Sequence, residues 1–437
     1  VAADYDLIIR NGEIIDGQGG PSYEGDLAIR DGKIAALGKV SGAGREEIDA
    51  RGRIVTPGFV DVHTHYDGQA TWSSQLTPSS LHGTTTVVMG NCSVGFAPVN
   101  PQDHDRLIDL MEGVEDIPEV AMHEGLKWNW HSFPEYLDAL DAIPHDIDFC
   151  AQVPHAALRL FVMGQRALDY EPATAADIAT MRRLVREAVE AGAIGASTSR
   201  TAIHRAASGS PITSLRAAED ELLGIVMGIK DAGRGVFEAV SDWEGERKED
   251  WAMFRRIVEQ TGVPMSMNLS QHSDKPDWWR QLLSNLEQAR ADGLPMTGQS
   301  AVRAIGLVLG LEANNHSFAY HPAYREIADL PLAEKVAQMR NPEFKRLLLS
   351  QRPALTGNAL EAHRAKFHQR FHSIFLMEDD PDYEPSPCTT SCSATTARGC
   401  CTSRSSTTCP ATCACAATSS QARPPYPASA TAARMSA

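Results

Sequence analysis

From residue 54 onward this chain alternates short β-rich runs with helical stretches, and that rhythm admits few folds. The runs cover 54–62, 84–90, 147–153, 193–198, 235–241, 263–270 and 294–300. Strands separated by helices cross over instead of forming hairpins, so they line up parallel, with the helices packed outside the sheet. Three of the helices mark their own boundaries. Thr174-Ala175-Ala176-Asp177 has the form of a capping box, Ile178, Met181, Leu184, Val185 and Ala188 follow at helical spacing, and Gly192 stops the run. Residues 249–261 end at Gly262, and 276–292 open with a proline and end at Gly293. Segments 332–350 and 358–376 read as a helical insertion beyond the seventh strand. Ahead of all this, residues 5–16 and 26–37 alternate apolar and polar side chains around Asn11-Gly12 and Asp31-Gly32, the dipeptides of tight hairpin turns. The expectation is an α/β chain in which a small β domain over 1–53 precedes a barrel-like parallel sheet.

Composition removes several alternatives. A chain of 437 residues has room for a barrel of about 250 residues and a small accessory domain. A formal charge of −16 offers no basic stripe for nucleic acid. No charged-then-apolar leader precedes Tyr5 and no run of 18 apolar residues occurs, so the expected protein is soluble and cytoplasmic, without a membrane partner. Only Cys92 and Cys150 lie before residue 387, which fits a reducing compartment. The other seven cysteines crowd into residues 388–437, a stretch without Asp, Glu or Lys that is dominated by Ala, Ser, Thr, Cys, Pro and Arg. Such a low-complexity segment has too few large apolar side chains to fold alone. It reads as out-of-frame translation, with a natural disordered tail as the rival account.

Chemistry concentrates where the first barrel run ends, in Val60-Asp61-Val62-His63-Thr64-His65. Side chains at i and i+2 of a strand share a face, so His63 and His65 aim two imidazoles at one spot, where a divalent ion can take both nitrogens.

Those residues also carry a resemblance. Val55-Thr56-Pro57-Gly58-Phe59-Val60-Asp61-Val62-His63-Thr64-His65 resembles the first barrel strand of the metal-dependent amidohydrolase superfamily. The stretches from His82 to Pro98, with Gly90-Asn91-Cys92 at its centre, and from Met111 to Pro118 (Met-Glu-Gly-Val-Glu-Asp-Ile-Pro) are similar to its N-acyl-D-amino-acid deacylase, or D-aminoacylase, branch. The likeness runs from about Tyr5 to about Pro387. It implies a (β/α)₈ TIM barrel over 54–387 that lacks its eighth strand, because the tail stands in that strand's place. The first and seventh strands are then left with open edges. It also makes the N-terminal sheet an incomplete β-sandwich, since the family completes that sheet with strands from the far C-terminus.

The resemblance further implies one or two Zn²⁺ ions and a small-molecule N-acyl amino acid as substrate. Amide hydrolysis needs an activated water, an acid for the leaving amine and a positive centre for the oxyanion, and zinc supplies the first and third. His63 and His65 match the family's strand-one pair, and Cys92 matches its zinc-ligating cysteine. The family adds one histidine from strand five and one from strand six. Strand five here ends Phe237-Glu238-Ala239-Val240-Ser241-Asp242-Trp243 without a histidine, leaving Asp242 as an oxygen donor in its stead; strand six ends Leu269-Ser270-Gln271-His272, which makes His272 the candidate there. Arg200, after strand four, is placed to meet a substrate carboxylate. Glu112, Glu115 and Asp116 read as a solvated acidic loop. His204, with several other histidines, reads as structural, and Trp128 and Trp130 as core. The family's strand-eight Asp has no counterpart after residue 384, and general acid/base help is worth about 10²- to 10⁴-fold. The expectation is a zinc-dependent hydrolase of N-acyl-D-amino acids with impaired turnover. Two alternatives stand beside it. One is a cyclic-amide hydrolase of the dihydropyrimidinase kind, disfavoured because the seven runs hold no lysine to carboxylate; the other is a truncated barrel without catalysis.

Overall fold

A computed structural model describes residues 3–243, 247–271, 275–301, 309–312, 316–355 and 365. The expected helix over 358–376, apart from Ala365, and the 388–437 tail lie outside the described residues.

Alternating side chains build the N-terminal sheet from β1 (Tyr5–Ile14), β2 (Tyr23–Arg30), β3 (Lys33–Gly38), β4 (Gly44–Asp49) and β5 (Ile54–Val55). Its order is β3-β2-β1-β4, with β5 also on β1. Asp31-Gly32 turns β2 into β3 as expected, both residues at positive φ. Asn11-Gly12 does not turn the chain. Asn11 takes a φ of 57° inside β1, where the pairing with β2 slips, so the dipeptide makes a bulge in a continuing strand.

The seven runs form one parallel sheet of β6 (Phe59–Asp61), β7 (Thr84–Met89), β8 (Asp148–Pro154), β9 (Gly195–Arg200), β10 (Val236–Ser241), β11 (Met265–Asn268) and β12 (Met296–Gln299). They lie side by side in chain order from β6 to β12. The expected run 54–62 is divided: Ile54-Val55 pairs with β1, and the barrel strand begins at Phe59. Pro57 has no N–H to donate, and Gly58 lies so close to Thr85 that a Cβ would come within 2.1 Å of its methyl group. Helices over Ala175–Ala191, Asp250–Thr261 and Trp278–Ala291 cover the sheet. The first is capped by Thr174 and Asp177 in a capping box, and the second ends at Gly262 with a φ of 69°. The segment 332–350 holds two helices, Leu332–Arg340 and Pro342–Ser350, because Pro342 cannot continue the first and Asn341 caps the second.

The main core lies between sheet and helices, with Val87, Met89, Val153, Phe237, Ala239 and Met267 packed against residues such as Ile108, Val185, Ile225 and Phe254. A separate cluster of Leu311, Phe318, Tyr324, Met339 and Leu348 serves the insertion. Among the described residues β6 and β12 each pair on one side only. The sheet is a curled barrel open at that seam, where Phe59 is 58% and Val60 56% exposed.

One buried ionic cluster holds the back of the sheet. Glu221 Oε1 accepts from Arg159 Nε at 2.8 Å and lies 2.9 Å from His155 Nε2, with all three side chains sealed from water. Burial alone would raise the Glu221 carboxyl; its contacts with His155 and Arg159 outweigh burial and leave it below the usual carboxylate range. Its contribution to stability is therefore complete above the ordinary glutamate pKa and is lost as pH falls through the lowered folded value. Glu221→Ala strands the Arg159 charge and should cost about 3–5 kcal/mol in urea denaturation. Glu187→Ala, which breaks an exposed pair with Arg183, should cost less than about 0.5 kcal/mol.

Candidate metal centre

The site is assembled by two loops at the carboxyl ends of β6 and β7. Thr64 straps the first loop to β7, its N–H and Oγ1 both donating to the Val88 carbonyl at 2.9 and 2.7 Å, and the histidines on either side of it stay together. The second loop turns through left-handed conformations at Gly90, Cys92 and Ser93. A Cβ at Gly90 would lie 2.1 Å from the Gln152 carbonyl oxygen, so only glycine fits. Asn91, fully buried, donates to the carbonyls of Thr64 (3.1 Å) and Val88 (2.9 Å) and accepts from Gln152 Nε2 (2.9 Å). The two loops are thus tied to each other, which brings Cys92 Sγ within 3.1 Å of His63 Nε2. One ligand atom each from His63, His65 and Cys92 lies within 4.8 Å of the others.

Around these donors stands a ring of polar groups. His63 Nδ1 pairs with Gln299 Oε1 at 2.9 Å, and His65 Nε2 with Glu115 Oε1 at 3.2 Å. Glu238 Oε2 accepts from the Cys92 N–H at 3.4 Å. Burial drives the protonation of the whole group: it holds both imidazoles below the usual histidine range, raises the Cys92 thiol, and lifts Asp67 to about 7 and Glu115 and Glu238 to about 8. Among the described residues, none of these three carboxylates has a Lys or Arg at ion-pair distance. His65 Nδ1, Asp67 Oδ2 and Glu238 Oε1 are buried without a hydrogen bond. A site rich in acceptors, short of positive charge and furnished with two imidazoles and a thiol fits a borderline-soft divalent cation such as zinc.

His63, His65 and Cys92 therefore lie together, and the other candidates fare differently. His272 lies outside the described residues. Asp242, just after β10, is spent on the neighbouring loop after β9, accepting from Thr201 Oγ1 and, at 3.1 Å, from the Ala202 N–H. The substrate role expected for Arg200 is corrected: the side chain is 8% exposed and donates to Asp250 Oδ2 at 3.0 Å and to the Ala217 carbonyl at 2.6 Å. Glu115 is not on a solvated loop. It ends the helix His104–Glu115 on the face that buries Ile108 and Met111, and its i+4 and i+7 spacing from them was the signal for an inward carboxylate. His204, read as structural, pairs with Ser199 Oγ at 2.8 Å; burial and the nearby His63 push it down to about 4. Trp130 donates to the Phe96 carbonyl and Trp128 stacks on His104, both as packing groups.

A family model described as the amidohydrolase family matches residues 46–371. The chain belongs to that family. Its relatives place it in the D-aminoacylase branch. A D-aminoacylase from Alcaligenes xylosoxydans xylosoxydans is 38% identical over 197 residues, covering 44% of this chain and 37% of the relative. The match thus spans little more than a third of that relative's length. A crystal structure of D-aminoacylase superposes with a TM-score of 0.58 at 27% identity, covering 80% of this chain and 70% of the other. An N-acyl-D-glutamate deacylase from Bordetella bronchiseptica, solved with zinc and a phosphonate that mimics the tetrahedral intermediate, does so with a TM-score of 0.52 at 29% identity, covering 67% and 58%. The amidohydrolase half-barrel, the clustered donors and these relatives agree.

Element analysis of the purified chain separates the donors from their neighbours. Cys92→Ala should remove most of the bound zinc, whereas Asp242→Ala should leave zinc content unchanged and only loosen the loop at Thr201.

Proposed function

We propose that this chain is a zinc-dependent amidohydrolase acting on the N-acyl bond of N-acyl-D-amino acids, with turnover impaired in the 437-residue form. The observation that carries the reading is the meeting of His63, His65 and Cys92 in one buried cluster. The relatives named above support the substrate class. Bound zinc supplies water activation and carbonyl polarisation. His63, His65 and Cys92 would hold it, and His272 is a fourth candidate donor.

The protein's own groups set the rest. Asp67 and Glu238 are buried, and both bear electrostatically on the Cys92 thiol. Glu115 keeps 22% of its side chain exposed beside His65. The strand-eight Asp that the family uses to carry protons is missing from residues 388–437, which contain no acidic residue. Losing a positioned proton carrier costs about 10²- to 10⁴-fold in rate. No helix among the described residues is long and apolar enough to cross a membrane.

The test is hydrolysis of N-acetyl-D-amino acids, with the L-series as control, before and after chelation. We expect slow, D-selective release of the amino acid that a chelator abolishes and zinc restores. Turnover that is indifferent to chelation, or equal for both enantiomers, contradicts the reading.

A further inference from the structure

The turn that carries the sulfur donor is closed by a side chain from another strand. Gly90-Asn91-Cys92-Ser93 follows β7, and its last two residues both take left-handed conformations, with φ of 54° at Cys92 and 71° at Ser93. Neither is a glycine, so the surroundings must hold them there. The hydroxyl of Ser197, inside β9, does so at both ends of the turn. It donates to the Gly90 carbonyl and accepts from the Ser93 N–H at 3.1 Å. A hydroxyl has one proton to give and lone pairs to receive, so this one oxygen spans the two backbone groups that a tight turn would pair directly. Ser93 is anchored through its side chain as well. Its Oγ accepts from the Ala156 N–H at 2.8 Å and donates to Ser214 Oγ at 2.9 Å, and Ser214 Oγ donates in turn to the Ser199 carbonyl at 2.9 Å. Ser93, Ser197, Ser199 and Ser214 are all sealed from water.

We propose that Ser197 is a positioning residue for the metal centre, its hydroxyl fixing the turn so that Cys92 Sγ stays beside His63. The inference rests on the zinc reading above and adds to it the group that holds the sulfur donor from outside. Asn91 ties the same turn to the loop after β6, so the residue before Cys92 and the residues at the two ends of its turn are each held by a different part of the barrel. The Cys92 thiol takes no part in these bonds; its contact is with His63 Nε2 at 3.1 Å. Alternation along β9 explains why a serine stands at this position. Ser197 and Ser199 share one face of the strand, whereas Thr198 and Arg200 turn to the other and meet His155 and Asp250. Outer partners of this kind keep a donor in the geometry its metal needs although they do not touch the ion.

The experiment loads the full chain with cobalt(II), which shows a sulfur-to-metal charge-transfer absorption when a thiolate binds it, and compares Ser197→Ala with Thr261→Ala. Thr261 is a matched control far from the donors. Its buried hydroxyl also bridges two backbone groups, the Ile257 carbonyl at 2.7 Å and the Val263 N–H at 3.3 Å, at the end of the helix Asp250–Thr261. Both variants should lose stability, but only Ser197→Ala should lose the sulfur absorption. Its zinc affinity, read by competition with a chromophoric chelator, should fall about 10- to 100-fold. Ser197→Thr, which keeps the hydroxyl, should retain the absorption. Parent-like absorption and affinity in Ser197→Ala, or the same loss in Thr261→Ala, overturns the proposal. Rapid deuterium exchange of the Ser93 amide in the metal-free parent, where it should be protected, overturns it whether or not the alanine variant folds. A parent chain without sulfur absorption overturns the zinc reading beneath the proposal, so the two failures are told apart.

Discussion

Everything at the site depends on the Asn91 side chain, which ties the loop after β7 to the loop after β6 through bonds to the Thr64 and Val88 carbonyls. Cys92 is next in sequence, and its left-handed backbone projects the thiol toward His63. Three fixed points, Asn91, Gly90 against Gln152 and Thr64 against Val88, replace what would otherwise be two mobile loops. Donor atoms can then stand close together without an ion to gather them. Such preorganisation suits a metal centre, where a small displacement of one donor weakens the whole set.

The cost of that arrangement is electrostatic. Asp67, Glu115 and Glu238 crowd a buried space with a thiol and two neutral imidazoles, and burial raises all three carboxyls. Elsewhere the protein answers buried charge with charge, as Glu221 does with Arg159 and Asp250 with Arg200. The absence of such an answer among the described residues at this one place is what distinguishes a functional acidic cluster from a structural one. A divalent cation held by His63, His65 and Cys92 would supply the missing charge.

Much of this was legible in the sequence because it is local. Buried parallel strands are short apolar runs, helix stops are glycines, and an i, i+2 histidine pair at a strand end needs no tertiary information to share a face. What the sequence concealed is long-range. The partner that makes Arg200 structural lies 50 residues downstream, and Gln299 meets His63 across 236 residues only because the sheet curls. Asn11-Gly12 has hairpin chemistry, yet β4 and β5 pair along both halves of β1 and keep it one strand. Glu115 was within reach of periodicity, since the helix that carries it has a clear apolar face, but three acidic residues in five read as a solvated surface.

The central claim is that sulfur and imidazole nitrogen share one ion. X-ray absorption at the zinc edge of the loaded full chain tests it most directly. The account predicts one sulfur neighbour at about 2.3 Å together with nitrogen and oxygen neighbours at about 2.0–2.1 Å, the sulfur signal vanishing in Cys92→Ala. A shell of nitrogen and oxygen alone in the parent protein would contradict it.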